Sequence, residues 1–223
     1  AGGHINAANG VESTIGGGNT NTAGGADSTI SGGRVNVASG SSSVIGGGSQ
    51  NNSTASFTTV SGGEQNNATA QAATVGGGQL NTASGIGSFI GGGAPNSGLG
   101  INSSVGGGAN NTTFDNYSTI SGGSGNGATG QYSTIGGGNA NITWSNYATI
   151  GGGWSNGTTG DHSTIGGGVS NKNYGLSSVI SGGSGNNITD NYGTISGGSS
   201  NIINSGTNST IGGGGSNSIS GNY

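Results

Sequence analysis

Large aliphatic residues recur along this chain every fifteen positions. The row starts with Ile15, Ile30 and Ile45 and keeps its interval as far as Ile195, after which Ile211 arrives one residue late. A fixed period of this length is typical of a solenoid, in which each repeat is a coil that packs only against its neighbours. The row therefore predicts about fifteen coils of fifteen residues, stacked into a rod.

Each coil contains two short segments in which small or apolar residues alternate with polar ones. In the coil 13–27 these segments are 13–17 and 21–25, and their period of two is that of a β-strand. If Ile15 points inward, we expect Ser13 and Gly17 to do so as well. The predicted fold is all-β, a parallel β-solenoid (β-roll) with two short strands per coil. We expect it to form one repeat domain over residues 1–223, without separate caps.

Asparagine occupies a second row with the same period, here called the asparagine row. After Asn6, its next members are Asn21, Asn36 and Asn51. Identical amides stacked in register can donate to one neighbouring coil and accept from the other, as in the asparagine ladders of cross-β stacks. Asparagine also satisfies tight turns through its own backbone. Under both interpretations the row is a structural ladder, like the row of Ile15, Ile30 and Ile45.

Glycine fills two further adjacent rows in every repeat. These rows contain Gly17 and Gly18 in one coil, and Gly32 and Gly33 in the next. A glycine row is explained either by a turn that requires positive φ or by a neighbour that approaches too closely for a side chain. The second explanation predicts a close-packing edge against another backbone or a flat partner.

The composition excludes several classes of protein. Glycine contributes 58 of 223 residues, but the Gly-X-Y triplet of collagen is absent. With two basic residues and a net charge of -4, the chain lacks the positive stripe that a nucleic acid requires. No apolar run approaches the ~20 residues of a membrane span. The nearly uncharged Asn/Ser/Thr/Gly surface favours an extracellular or cell-surface location and self-association.

A row of threonines precedes the isoleucines and points outward. Its most regular members are Thr119, Thr134, Thr149 and Thr164. A flat threonine array indicates ice binding, and grass antifreeze proteins resemble this chain in their short Asn-x-Val-x-Gly half-coils. Threonine also favours strands by itself, and the outward positions beside the row vary widely. Ice binding is therefore the alternative function.

Aromatic residues are concentrated beyond residue 113, where nine of the eleven lie. One repeat position holds several tyrosines, including Tyr223, and His162 lies in the same row; another position holds Phe114. The candidates for a partner or ligand face are Tyr117, Tyr132, Tyr147, Trp144, Trp154, Tyr174 and Tyr192. Exposed aromatic rows could bind a partner chain or a sugar ring. The alternative is mutual stacking that shields a thin core.

Residues suited to catalysis are few and scattered. The six acidic residues and two histidines are scattered over different coils, and Asp161 and His162 are the only close pair. Adjacent residues of a strand face opposite ways, so this pair is poorly placed for acid–base chemistry. We therefore predict no enzymatic activity, no catalytic residue, no metal site and no cofactor.

The coil pattern resembles a known family. The segments 132–141, Tyr-Ser-Thr-Ile-Gly-Gly-Gly-Asn-Ala-Asn, and 81–85, Asn-Thr-Ala-Ser-Gly, are similar to the head repeats of trimeric autotransporter adhesins, the YadA-like head. The resemblance covers nearly the whole chain, although the fifteen-residue coil with its triple glycine is longer than the family's commoner coil. It implies a left-handed β-roll, three chains packed side by side and an adhesive surface domain.

These features together predict a non-catalytic extracellular protein with a structural or adhesive role. We expect a self-associating rod that belongs to a surface fibre, a filament or an adhesin head. The expected partner is a second copy of the chain, in a lateral homo-oligomer such as a trimer or in end-to-end stacking. A host surface or glycan ligand is a further candidate, whereas no nucleic acid is expected.

Overall fold

The computed structural model describes residues 2–221, and this part of the chain contains 29 short β-strands and no helix. It divides into two compact units, one up to Thr112 and the other from Thr113. Within each unit the chain winds as a parallel β-solenoid with two strands per coil, which confirms the predicted fold class. The single domain over 1–223 stays a prediction.

The strands of the first unit are β1 (Ala7–Ala8), β2 (Thr14–Ile15), β3 (Thr22–Ala23), β4 (Thr29–Ile30), β5 (Val37–Ala38), β6 (Val44–Ile45), β7 (Asn52–Ser53), β8 (Thr59–Val60), β9 (Asn67–Ala68), β10 (Thr74–Val75), β11 (Thr82–Ala83), β12 (Phe89–Ile90), β13 (Ser97–Gly98) and β14 (Ser104–Val105). The strand β15 (Thr112–Thr113) lies where the units divide.

The strands of the second unit are β16 (Thr119–Ile120), β17 (Gly127–Ala128), β18 (Thr134–Ile135), β19 (Ile142–Thr143), β20 (Thr149–Ile150), β21 (Gly157–Thr158), β22 (Thr164–Ile165), β23 (Lys172–Asn173), β24 (Val179–Ile180), β25 (Asn187–Ile188), β26 (Thr194–Ile195), β27 (Ile202–Ser205), β28 (Thr210–Ile211) and β29 (Ser218–Ser220).

Odd-numbered and even-numbered strands form separate parallel sheets in each unit. Paired residues are one repeat apart, as in Ile30 with Ile45 in the first unit and Ile135 with Ile150 in the second. The late arrival of Ile211 is accommodated by an irregular register in β27, after Ile203. Repetition at a fixed interval sets this register, because a slip of one residue would turn every isoleucine outward.

The core between the two sheets is thin. The isoleucine row supplies most of the large side chains, and Ile30 and Ile45 are fully buried. Facing them, the odd strands of the first unit offer small residues such as Ala38, whereas Ile188 is buried on an odd strand of the second unit. Ser43 is buried too, and its Oγ has no hydrogen-bond partner. Gly17, which we expected to point inward, is only half-buried.

The corners of the coils are built from residues with left-handed backbone conformation. In the first unit Thr20 has φ 56°, Asp27 has φ 57° and Val35 has φ 57°. Because glycine is the residue expected at such corners, the sequence does not reveal them. Pro95 stands where other coils have a left-handed residue, and its ring fixes a negative φ, so the corner of that coil must differ.

Candidate interaction surfaces

The asparagine row lies inside the solenoid. The Asn51 Oδ1 accepts the main-chain N–H of Asn66 in the next coil at 3.0 Å. The Asn51 Nδ2 donates to the carbonyl oxygens of Gly47 and Gly63, each at 2.9 Å. Amide-to-amide bonds also occur, as between the Asn81 Nδ2 and the Asn66 Oδ1 at 3.2 Å. The amides thus join consecutive coils chiefly through main-chain groups.

One of the two glycine rows, which contains Gly18, Gly33 and Gly63, is fixed by the chain itself. Gly63 has φ 89°, and a Cβ built on it would lie 2.1 Å from the carbonyl oxygen of Gly78 and 2.7 Å from the Asn66 Nδ2. Positive φ and close packing therefore both require glycine here.

The neighbouring row, here called the outer glycine row, has a different environment. A Cβ on Gly32 or Gly62 would find no atom within 4 Å, and the φ of both residues lies outside the left-handed region. Other members have an internal reason to be glycine: at Gly17 a Cβ would lie 2.9 Å from the carbonyl oxygen of Gly2, and Gly47 has φ 151°. The row is half-buried at the surface, and at Gly32 and Gly62 nothing within the chain demands glycine.

Four aromatic rings of the second unit form what we call the tyrosine ladder: Tyr117, Tyr132, Tyr147 and His162. Successive centroids are 4.9, 4.9 and 4.8 Å apart, with neighbouring planes inclined by 4°. Because each inner ring is stacked on both faces, the ladder presents ring edges and hydroxyl groups to the solvent. Tyr192 occupies the same repeat position beyond the ladder, and Tyr223 lies outside the described residues.

A second aromatic row runs along the outer face of the odd-strand sheet in the second unit. It alternates aromatic residues with threonines, and we call it the aromatic–threonine row: Phe114, Thr129, Trp144, Thr159, Tyr174 and Thr189. Phe114 is 51% exposed, Trp144 54% and Tyr174 44%. Unlike the tyrosine ladder, this row places its rings in every second coil, so the rings do not stack on one another.

A groove of about 200 Å³ lies between two of these rings, and it is lined by Ala140, Ile142, Trp144, Ser155, Asn156, Gly157, Lys172 and Tyr174. Gly157 leaves room for the Trp144 ring, because a Cβ there would lie 2.9 Å from the Trp144 Cζ3. Sequence reasoning missed Gly157, Thr159 and Lys172 as parts of this surface. The sequence signal that could have revealed this surface is the interval of thirty residues, twice the repeat, between its aromatic residues.

Trp154 and the threonine row of Thr134 and Thr149 lie outside the aromatic–threonine row. Trp154 is 55% exposed on another row, between Asn139 and Val169 of the adjacent coils. Thr134 and Thr149 are aligned in neighbouring even strands and half-buried. The structure therefore distributes the candidate aromatic residues over three rows, and the tyrosine ladder stands two residues before the threonines.

The residues suited to catalysis have other partners. The Asp161 Oδ1 accepts the main-chain N–H of Asn146 at 3.0 Å, and the His162 ring belongs to the tyrosine ladder. Among the described residues, no three His, Cys, Asp or Glu side chains come together in a group that could hold a metal ion. Residues 2–221 also contain no helix long and apolar enough to cross a membrane.

A scan of the sequence against models of known families finds no match, and a search of curated proteins finds none either. The resemblance to YadA-like heads therefore stays a prediction.

Proposed function

We propose that this chain is a non-catalytic structural or adhesive protein of the cell surface, and that it associates laterally with further copies of itself along the outer glycine row. The observation that carries the proposal is that Gly32 and Gly62 have open space where a Cβ would stand. At these members neither φ nor a neighbouring atom of the chain requires glycine, so glycine there indicates that an external neighbour approaches too closely for a side chain.

A second copy of the chain fits this edge better than an unrelated partner. Its own glycine row repeats at the same strand spacing, so two rows can approach in step over many coils. Glycine rows that face each other bring main chains into close contact, as small residues do between packed helices. The number of copies, three in the family that the sequence resembles, is part of the proposal.

The rest of the surface favours association. The chain carries only eight charged residues among 223, so like-charge repulsion between copies is small. Large apolar side chains interrupt the threonine row on the even sheets, where Val44 is 38% exposed, Phe89 44% and Val179 36%. Burying these side chains against a neighbour would add hydrophobic stabilisation, at about 25 cal/mol per Å².

The proposal is tested by adding a side chain to the outer glycine row. Gly62→Leu and Gly122→Leu each place an isobutyl group in open space, so the single chain should keep its circular dichroism spectrum and thermal stability. Thr54→Leu is the matched control, because Thr54 is exposed on the odd sheet. Sedimentation velocity over a concentration series measures association.

We expect the native chain and Thr54→Leu to form the same oligomer. The two glycine variants should dissociate at least about tenfold more readily, a loss of about 1.4 kcal/mol. A native chain that is a monodisperse monomer would overturn the proposal, and so would glycine variants that assemble like the control.

A further inference from the structure

The aromatic–threonine row has a period of its own. Stacked tyrosine rings on neighbouring coils are 4.9 Å apart. Aromatic residues two coils apart, such as Trp144 and Tyr174, are therefore separated by twice the strand spacing, about 9.8 Å. Thr159 is exposed halfway between them, so apolar rings alternate with hydroxyl groups along the sheet.

The groove between Trp144 and Tyr174 adds a recess to this pattern. Its volume of about 200 Å³ is that of roughly six or seven water molecules in the liquid, which is the scale of one sugar ring. The Lys172 side chain lies at the groove and supplies hydrogen-bond donors for hydroxyl groups. The surface thus combines flat apolar contacts with polar groups at fixed intervals.

We propose that the aromatic–threonine row binds an extended β-1,4-linked glycan, a chain of the cellulose or chitin type. Such a glycan is a flat ribbon whose ring faces expose C–H groups and whose edges carry hydroxyl groups. Alternate sugars present the same face, and this disaccharide repeat is close to the interval between Trp144 and Tyr174. Every second sugar therefore stacks on an aromatic ring, while a threonine faces the sugar between.

Other ligands fit the row less well. In an extended peptide, side chains on one face recur at about 6.6–6.8 Å, so a peptide lying along the row falls out of step with the rings. The tyrosine ladder does not provide the same platform, because its ring faces are occupied by neighbouring rings. The surface is also distinct from the outer glycine row, so this inference does not depend on the proposed self-association.

Isothermal titration calorimetry of the full chain with cellohexaose and with chitohexaose tests the proposal. Trp144→Ala removes the central ring, and Trp154→Ala removes an equally exposed tryptophan from another row. A double variant, Trp144→Thr with Thr159→Trp, keeps the composition and moves the ring by one coil. Maltohexaose, whose α-1,4 linkage makes a coiled chain, is the control ligand, and circular dichroism checks folding.

We expect the native chain and Trp154→Ala to bind at least one of the two β-1,4 hexasaccharides with equal affinity. Trp144→Ala and the double variant should bind at least about tenfold more weakly, and maltohexaose should bind more weakly than the β-1,4 ligands. Absence of binding to both β-1,4 hexasaccharides would overturn the proposal. Undiminished affinity of the double variant would also overturn it, because the interval between rings would then not matter.

Discussion

Replacing Asn51 with alanine should lower the free energy of unfolding of the first unit by more than the lost side-chain packing alone would. The change removes three hydrogen bonds, two donated by the Asn51 Nδ2 and one accepted by its Oδ1 from the main-chain N–H of Asn66. Each such bond contributes about 1 kcal/mol net, and a buried N–H without an acceptor costs about 1–3 kcal/mol more. The Gly63 oxygen keeps the N–H of Ser49 at 2.9 Å and so adds no such penalty, and we expect a total loss of about 4–6 kcal/mol.

Asn52→Ala is the matched control. Asn52 follows Asn51 directly but points out of the solenoid, is only half-buried, and makes one side-chain bond, to the Asn67 Oδ1 at 2.9 Å. Water can replace that bond when it is lost, so we expect the free energy of unfolding to fall by less than about 1 kcal/mol.

Urea denaturation followed by circular dichroism measures the global effect of both variants. Coils of a solenoid also open locally, so hydrogen exchange at the Asn66 amide is the sharper measurement. In Asn51→Ala this amide should exchange faster by at least about a hundredfold, because each tenfold corresponds to about 1.36 kcal/mol. Equal stability of the two variants, or unchanged exchange at Asn66, would refute the role assigned to the asparagine row.

Four further predictions concern single positions. Val35→Gly should stabilise by about 1 kcal/mol, because a β-branched residue is costly at φ 57°, whereas Val37→Gly in a strand should destabilise by a similar amount; urea denaturation compares them. Gly63→Ala should destabilise by more than about 3 kcal/mol in the same assay, because its Cβ meets main-chain atoms. Ser43→Ala should leave the melting temperature unchanged or raise it, since the buried hydroxyl has no partner. Ice binding predicts thermal hysteresis in the native chain and its loss in Thr134→Tyr; a native chain without hysteresis excludes that alternative.

Period and residue type are enough to predict the fold class. An isoleucine every fifteen residues can be buried only if coils stack in register, and that register is what pairs Ile30 with Ile45. The asparagine row is recognisable for the same reason. The hydrogen-bond partners of these asparagines cannot be predicted from the sequence, because an amide can pair with another amide or with the main chain. Only the position of the turn glycines brings carbonyl oxygens within reach of the Asn51 Nδ2.

The candidate surfaces depend more on the tertiary structure. Two adjacent glycine rows look alike in the sequence, yet a Cβ on Gly63 would collide with the next coil and a Cβ on Gly62 would stand in open space. Residues as different as Val35 and Tyr132 adopt the same left-handed conformation, with φ 57° and 58°, at two different corners of the coil, so residue type does not mark the turns.

Sequence by itself determined which residues align along the solenoid, because alignment follows from counting residues along a repeat. Tertiary structure decided which aligned rows share a face and which rings stack, as Tyr132 does on Tyr147 while Trp144 stands apart from Tyr174. Those properties depend on the direction of each corner and on the space between side chains. Both are set by the conformation of the turns, which a repeat length does not specify.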